Sequence, residues 1–277
     1  MTNSTDDGLT ESPELLELIR PFAGFYLVIA ILGFYGNGVV IYATCRNKNL
    51  HNPCNILIAL ACLFDVLHLF GHLNLAYFAF FSEQYLIPAH RCVKLMAIPF
   101  IGVTGSTLCV LCIGLDRLYS CMFPTRYVRK SGPVYLFLHI LAIFAFAAFM
   151  IQAAFESASG NEKSVVCYIP EGFQGNAKTI WTFISVSIYV MALVVYSVVW
   201  LKLKLNDQIR QIARIFRSLF IVMIVEVGGW IATMGSYTIF LRLFPDAESL
   251  DLLRCEFLIG IPVNVTLAFP WIIYYFT

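Results

Sequence analysis

Residues 93–115 read VKLMAIPFIGVTGSTLCVLCIGL, and the chain continues through Asp116-Arg117-Leu118 to Pro124-Thr125-Arg126-Tyr127. An apolar run of this length is what a helix needs to cross a bilayer. It ends on an acid–base pair and leads into a basic loop. An Arg at the end of such a segment is costly to place and marks a functional position, unless it only reaches out to lipid headgroups.

Six further runs have the same character: Phe22–Thr44, Asn55–Phe81, Val134–Phe155, Thr179–Leu201, Ser218–Leu241 and Phe257–Phe276. The chain is 60% hydrophobic and only 13% charged, with a mean hydropathy of +0.79. That composition excludes one or two soluble domains. With no water in the hydrocarbon layer, each run must satisfy its own backbone and therefore forms a helix. The expected fold is an all-α membrane protein, a seven-transmembrane-helix bundle with its N-terminus outside. Residues 1–21 form an extracellular N-terminal segment and residues 22–277 the transmembrane domain.

Orientation follows the basic residues. Arg46, Lys48, Arg117, Arg126, Arg129, Lys130, Lys202, Lys204, Arg210, Arg214 and Arg217 fall in the interior loops, eleven of the 18 in the chain, beside only Asp116 and Asp207. Residues 1–21 are acidic and lack the features of a cleavable leader, so the first helix is expected to anchor itself. The expected location is the plasma membrane, as a multi-pass protein. Asn3-Ser4-Thr5 is a glycosylation sequon on the exterior side; Asn264-Val265-Thr266 is another, placed inside the last span. Asn206–Arg217 is polar and basic with Ile209, Ile212, Ala213 and Phe216 at helical spacing, and is expected to prolong the sixth helix into the cytoplasm. Its basic face suits membrane lipid or a partner protein.

Gly36-Asn37-Gly38-Val39-Val40 lies in the first helix and Asp65 in the second. Cys92 stands 25 residues before Arg117, and Asp116-Arg117 is followed by Pro124 and Tyr127. Together, in order and each on its own helix, these motifs resemble the rhodopsin-like G-protein-coupled receptors. Arg217-Ser218-Leu219-Phe220 leading to Gly228-Gly229-Trp230, with a short third cytoplasmic loop, resembles the nematode serpentine chemoreceptors of the SRSX group. The likeness covers essentially the whole chain. Departures are plain: Leu118 replaces the Tyr of Asp-Arg-Tyr, and Ala232 stands where a Pro follows the Trp of the sixth helix. Phe269-Pro270 with Tyr274 replaces Asn-Pro-x-x-Tyr, the fourth helix lacks its customary Trp, and the sequence stops at Thr277 without an eighth helix.

The resemblance implies a receptor coupled to a heterotrimeric G protein through Asp116, Arg117, Pro124 and Tyr127. On activation Arg117 meets the Gα subunit, with Tyr196 and Tyr274 as candidate partners. No acidic residue lies in Ile209–Arg217 to lock Arg117 between helices, so some ligand-independent activity is expected. A Cys92–Cys167 disulfide is implied, pinning the loop between the fourth and fifth helices over the bundle; Cys255 is the third exterior cysteine. Asn37, Asp65 and Ser106 form the implied polar core. There Asp65 and Ser106 hold a sodium ion, or a protonated Asp65 bonds to Asn37, with Asn264 nearby. Glu226, a second intramembrane acid, is a packing hydrogen bond, a proton-linked switch or a ligand contact. His68 and His72 share a helix face and could ligate a metal, with polar packing as the alternative.

The implied ligand pocket lies in the exterior half of the bundle, among Pro99, Phe100, Val103 and Thr104 of the third helix, Trp230, Met234 and Tyr237 of the sixth, and Ile259 of the seventh. Pro99 stands where amine receptors carry an Asp, so the expected small-molecule ligand is an apolar odorant or pheromone. The acidic exterior leaves a basic neuropeptide as the alternative. An opsin or retinal pump is excluded, since no Lys follows Lys204 to form a Schiff base, and so is an intramembrane serine protease, since no His follows His139 to serve Ser106 as a catalytic base; no enzyme is expected. No cofactor and no nucleic acid are expected. A non-signalling or degenerate partner subunit for other receptors is the remaining rival.

Overall fold

The computed structural model describes residues 11–130, 132–205, 210–244 and 248–268, without the side chains of 130, 210–219, 222, 223 and 241. The first two spans are α1 (Pro13–Arg46) and α2 (Pro53–Phe80). A short strand β1 (Leu86–Pro88) leads to the third span, divided into α3 (Ala89–Leu95) and α4 (Ala97–Met122). Cytoplasmic α5 (Pro124–Lys130) precedes the fourth span, α6 (Pro133–Ala158). On the exterior, β2 (Ser164–Val166) and the single turn α7 (Ile169–Gly172) precede the fifth span, α8 (Gly175–Leu205). The last two spans are α9 (Arg210–Leu243) and α10 (Ser249–Ala268).

Among the described residues α1, α2, α4, α6 and α8 each have the length and hydropathy of a bilayer crossing. With α9 and α10 they form the seven-helix bundle. α1 packs on α2, α2 on α4, α4 on α6 and α8, α8 on α9, α9 on α10, and α10 back on α1. The circuit closes around α4, whose apolar stretch is mostly buried, whereas α6 turns Phe137, Leu138 and Leu141 outward toward lipid.

Local chemistry sets the helix ends. Ser12 accepts from the Leu15 amide at 3.2 Å, and Pro13 sits in the first turn, where a missing N–H costs nothing. The helix therefore begins ahead of Phe22, the start that hydropathy gives. The extra turns pack Leu15, Ile19 and Ala23 with Leu75, Ala79, Tyr85 and Leu253 in an exterior cluster. Asn52 caps α2 in the same way, accepting from the Asn55 amide at 3.0 Å. The third span breaks at Met96. Pro99 has no N–H for the Leu95 carbonyl, and the Asn74 side-chain amide donates to that carbonyl instead, at 3.3 Å.

The α2–α4 contact is the tightest in the bundle at Gly102. A Cβ there would lie 2.2 Å from the His68 backbone nitrogen and 2.6 Å from the Phe64 carbonyl oxygen. Both neighbours are helix backbone, so a methyl group must part the two helices. Gly102→Ala is expected to cost about 3 kcal/mol or more, read as a sharp loss of melting temperature and folded yield. A melting curve matching the unsubstituted protein would remove this contact from the fold's essentials.

The exterior loops are joined into one piece. β1 and β2 pair antiparallel, Leu86 opposite Val166 and Pro88 opposite Ser164. The implied Cys92–Cys167 disulfide is present, with Cα atoms 5.3 Å apart. Glu11 accepts from the Tyr85 and Leu86 amides at 3.1 and 3.3 Å, tying the start of the chain to the same piece. On the cytoplasmic side, α9 begins at Arg210, so the sixth helix is prolonged as its spacing predicts. Asn3, Ile209 and the Phe269–Phe276 stretch with Pro270 and Tyr274 lie outside the described residues. Asn264 is buried, so its sequon stays within the bundle.

Candidate functional site

The disulfide and strand pairing deliver α7 onto the exterior mouth of the bundle. Phe173, just after it, is fully buried, its ring 4.4 Å from Phe100 and stacked 4.8 Å from Trp181. This fills the space in front of α4. The open space lies on the other side, a cavity of about 820 Å³ including its mouth. Its walls are Tyr26 of α1, Gly71 and His72 of α2, Trp181 of α8, Trp230, Met234 and Tyr237 of α9, and Ile259 and Asn264 of α10, with Tyr168, Ile169 and Pro170 above.

Four of the eight expected pocket residues, Trp230, Met234, Tyr237 and Ile259, line this cavity. Pro99, Phe100, Val103 and Thr104 do not. Phe100, Val103 and Thr104 are at most 1% exposed. Phe100 is covered by Phe173, Pro99 is packed near Ile169 and Gly71, and the Thr104 hydroxyl donates to the Phe100 carbonyl at 2.6 Å. Sequence reasoning missed Tyr26, Lys178 and Glu256, and read His72 as a possible metal ligand or polar packing rather than as a cavity wall. The signal for them was weak, being polar residues near the exterior ends of apolar helices.

His72 Nε2 lies 2.7 Å from Asn264 Oδ1, joining α2 to α10, and its ring stacks on Tyr26 at 4.9 Å. Asn264 also donates to the Gly260 carbonyl at 2.9 Å. This is the polar packing alternative for His72. Among the described residues no group of three His, Cys, Asp or Glu side chains gathers to hold a metal. At the mouth, Lys178 Nζ meets Glu256 at 2.9 Å and Glu171 at 3.2 Å, and the Tyr168 hydroxyl donates to Glu256. Burial, then Glu256 and Glu171, push the Tyr168 hydroxyl well above its ordinary pKa. The mouth is thus closed by a charge network spanning the loop, α8 and α10.

Deeper in the bundle, the Ser106 hydroxyl donates to Asp65 at 2.7 Å. The expected Asp65–Asn37 bond is corrected: Asn37 Nδ2 instead donates to the Leu267 carbonyl at 3.2 Å. Gly33, one turn earlier on α1, lets α10 come this close, for a Cβ there would lie 3.3 Å from the Ala268 Cα. Asn264 is likewise engaged with His72 rather than Asp65. Glu226 is buried, with no hydrogen-bond partner for its Oε1 among the described residues, and interacts electrostatically with Asp65.

At the cytoplasmic end, Arg117 Nε donates to Asp116 Oδ2 at 2.9 Å and a terminal guanidinium nitrogen to the same oxygen. Asp116 is fully buried. Tyr127, carried on α5 which Pro124 starts, donates to Asp116 Oδ1 at 3.0 Å and lies 3.2 Å from the guanidinium. Asp116, Arg117 and Tyr127 therefore close a triangle. The Tyr196 hydroxyl, a candidate partner for Arg117, donates to the Val110 carbonyl at 3.4 Å.

Comparison with known proteins places the chain. Residues 30–277 match the family described as the serpentine type 7TM GPCR chemoreceptor Srsx. Among curated proteins, somatostatin receptor type 5 of Rattus norvegicus is 22% identical over 74% of this chain and 60% of its own length. Somatostatin receptor type 5 of Bos taurus is 26% identical, over 83% and 65%. The KiSS-1 receptor of Mus musculus is 24% identical, over 47% and 33%. The chain thus spans from a third to about two thirds of the length of these curated relatives.

Proposed function

The chain belongs to the Srsx family of serpentine seven-transmembrane G-protein-coupled chemoreceptors, and we propose that it binds a small apolar odorant or pheromone and activates a heterotrimeric G protein through Arg117. The observation that carries the reading is the cavity under the tethered loop, walled chiefly by aromatic and aliphatic side chains. Pockets of this kind between bundle helices bury most of a small apolar molecule. At the opposite end, Asp116 and Tyr127 hold Arg117 in place at the membrane edge, where outward movement of the sixth helix opens a G-protein site.

The test is expression of the chain alone at the surface of a cell carrying promiscuous Gα proteins, with odorant mixtures applied. A dose-dependent response lost on Arg117→Ala supports the reading. Silence despite surface expression favours the partner-subunit or degenerate-receptor reading.

A second reading, a peptide ligand, is favoured by the names of the curated relatives and by Glu171 and Glu256 at the mouth. A response to basic peptides and none to odorants selects it.

A sodium ion at Asp65 and Ser106 is a further part of the proposal. The two side chains bring oxygen donors together in a buried site. The expected result is a higher melting temperature in sodium chloride than in choline chloride, with the difference abolished by Asp65→Asn. Equal melting in the two salts would remove the ion.

A further inference from the structure

The cavity's polar atoms fall into two groups. The hydroxyls of Tyr26, Thr182 and Thr233 are committed, donating to the carbonyls of Phe257 at 2.6 Å, Lys178 at 2.8 Å and Ile259 at 2.9 Å. His72 and Asn264 satisfy one another. Three nitrogens are different: Nε1 of Trp181, Nε1 of Trp230 and Nδ1 of His68 have no hydrogen-bond partner among the described residues. All three side chains line the cavity and are only 4%, 5% and 4% exposed, and the nitrogens themselves lie just beneath its wall. Buried polar atoms left in this state are uncommon and call for an explanation.

Each indole is packed against a second aromatic ring. Trp181 is stacked on Phe173 at 4.8 Å, and Trp230 is stacked on Tyr189 at 5.6 Å. The two rings meet edge to face, 6.1 Å apart. An indole N–H donates and never accepts, so what it lacks is an acceptor. An ammonium group brings donors alone, and at the two indoles it would face donors. A carboxylate would have to pass Glu171 and Glu256, and Lys178 is already held between them.

We infer that the occupant is an uncharged molecule with a carbonyl oxygen, a ketone, ester or lactone. The oxygen accepts from the indole N–H groups of Trp181 and Trp230 beside His68, and the hydrocarbon body lies against Leu75, Met234 and Ile259. This rests on the reading of the cavity as the ligand site and names the chemistry of its ligand.

The experiment uses the full chain purified into lipid nanodiscs. Ligand-induced shifts in melting temperature are followed against concentration for octan-2-one, for its isostere 2-methyloct-1-ene, in which a methylene replaces the oxygen, and for octylamine. The ketone is expected to bind about tenfold more tightly than the alkene. Trp181→Phe and Trp230→Phe keep a ring but drop the N–H. Each is expected to shrink that advantage, read as the ketone-to-alkene affinity ratio within the same variant. The ligand-free melting curve is the control for folding, and the wild-type comparison stands without either variant. Equal binding of ketone and alkene, tightest binding of octylamine, or a ketone advantage that survives both substitutions overturns the inference and leaves the pocket standing. A chain that melts cooperatively and binds none of the three removes the pocket reading as well.

Discussion

Replacing Arg117 with Ala is expected to abolish G-protein activation and to destabilise the bundle at the same time, and the two effects can be pulled apart. Asp116 is fully buried, and its carboxylate is held by the Arg117 guanidinium and the Tyr127 hydroxyl. Removing the guanidinium leaves a buried charge beside neutral hydroxyls alone, those of Tyr127 and Tyr135. Breaking a buried pair from one side costs about 3–5 kcal/mol; with Tyr127 still in place and Arg117 partly exposed, the low end, about 3 kcal/mol, is expected. The double variant Asp116→Asn with Arg117→Ala has no stranded charge and should recover most of that loss. It should not recover activation, because the group proposed to meet Gα is gone. Asp116→Asn alone frees the guanidinium and should raise ligand-independent nucleotide exchange. Melting curves and exchange on a promiscuous Gα, measured on the same preparations, check all three. Activation restored in the double variant would take Arg117 out of the coupling role.

Breaking the Cys92–Cys167 bridge by Cys167→Ser is expected to cost at least about tenfold in ligand affinity. The disulfide closes a chain separation of 75 residues. In the chain-entropy picture a loop that long is worth about 4.5 kcal/mol, and the figure is a ceiling here because the helices stay inserted when the bridge opens. The local consequence is sharper. Tyr168, Ile169 and Pro170 form the cavity's upper wall, and Phe173 fills the space before α4. Without the bridge, this turn keeps the β1–β2 pairing, the Tyr168–Glu256–Lys178 network and the packing of Phe173, but loses its covalent tie to the third span. Reducing agent on the unsubstituted chain should reproduce the loss, and Cys255→Ser should not. Unchanged affinity after Cys167→Ser would show that the loop is held without it.

The spans were legible because each is an uninterrupted apolar run, and Asp116-Arg117 because a charge pair at a helix end has few other reasons to exist. The same is true of Cys92 and Cys167, set on the oxidising side of the membrane. What stayed hidden depends on distances between helices. Pro99, Phe100, Val103 and Thr104 sit where a ligand would lie if the loop stayed clear, but nothing in Ile169–Phe173 announces that Phe173 turns inward. Asn37 reads as a partner for Asp65 only until Gly33 is seen to draw α10 against α1. The bond between His72 and Asn264 joins residues 192 positions apart, and neither alone signals the other. The break at Met96 could be anticipated from Pro99, but the compensating amide from Asn74 could not.

The pairing of β1 with β2 has a consequence for descent as well as for stability. Register along Leu86–Pro88 and Ser164–Val166 is carried by backbone groups, and the bridge at Cys92 by sulfur. Neither depends on the side chains of Ile169 and Pro170, which line the cavity's upper wall. The frame therefore holds two letters that can be rewritten one at a time without moving it. Among gene copies sharing this frame, changes of taste should accumulate at Ile169 and Pro170 while the strands and the cysteines stand still.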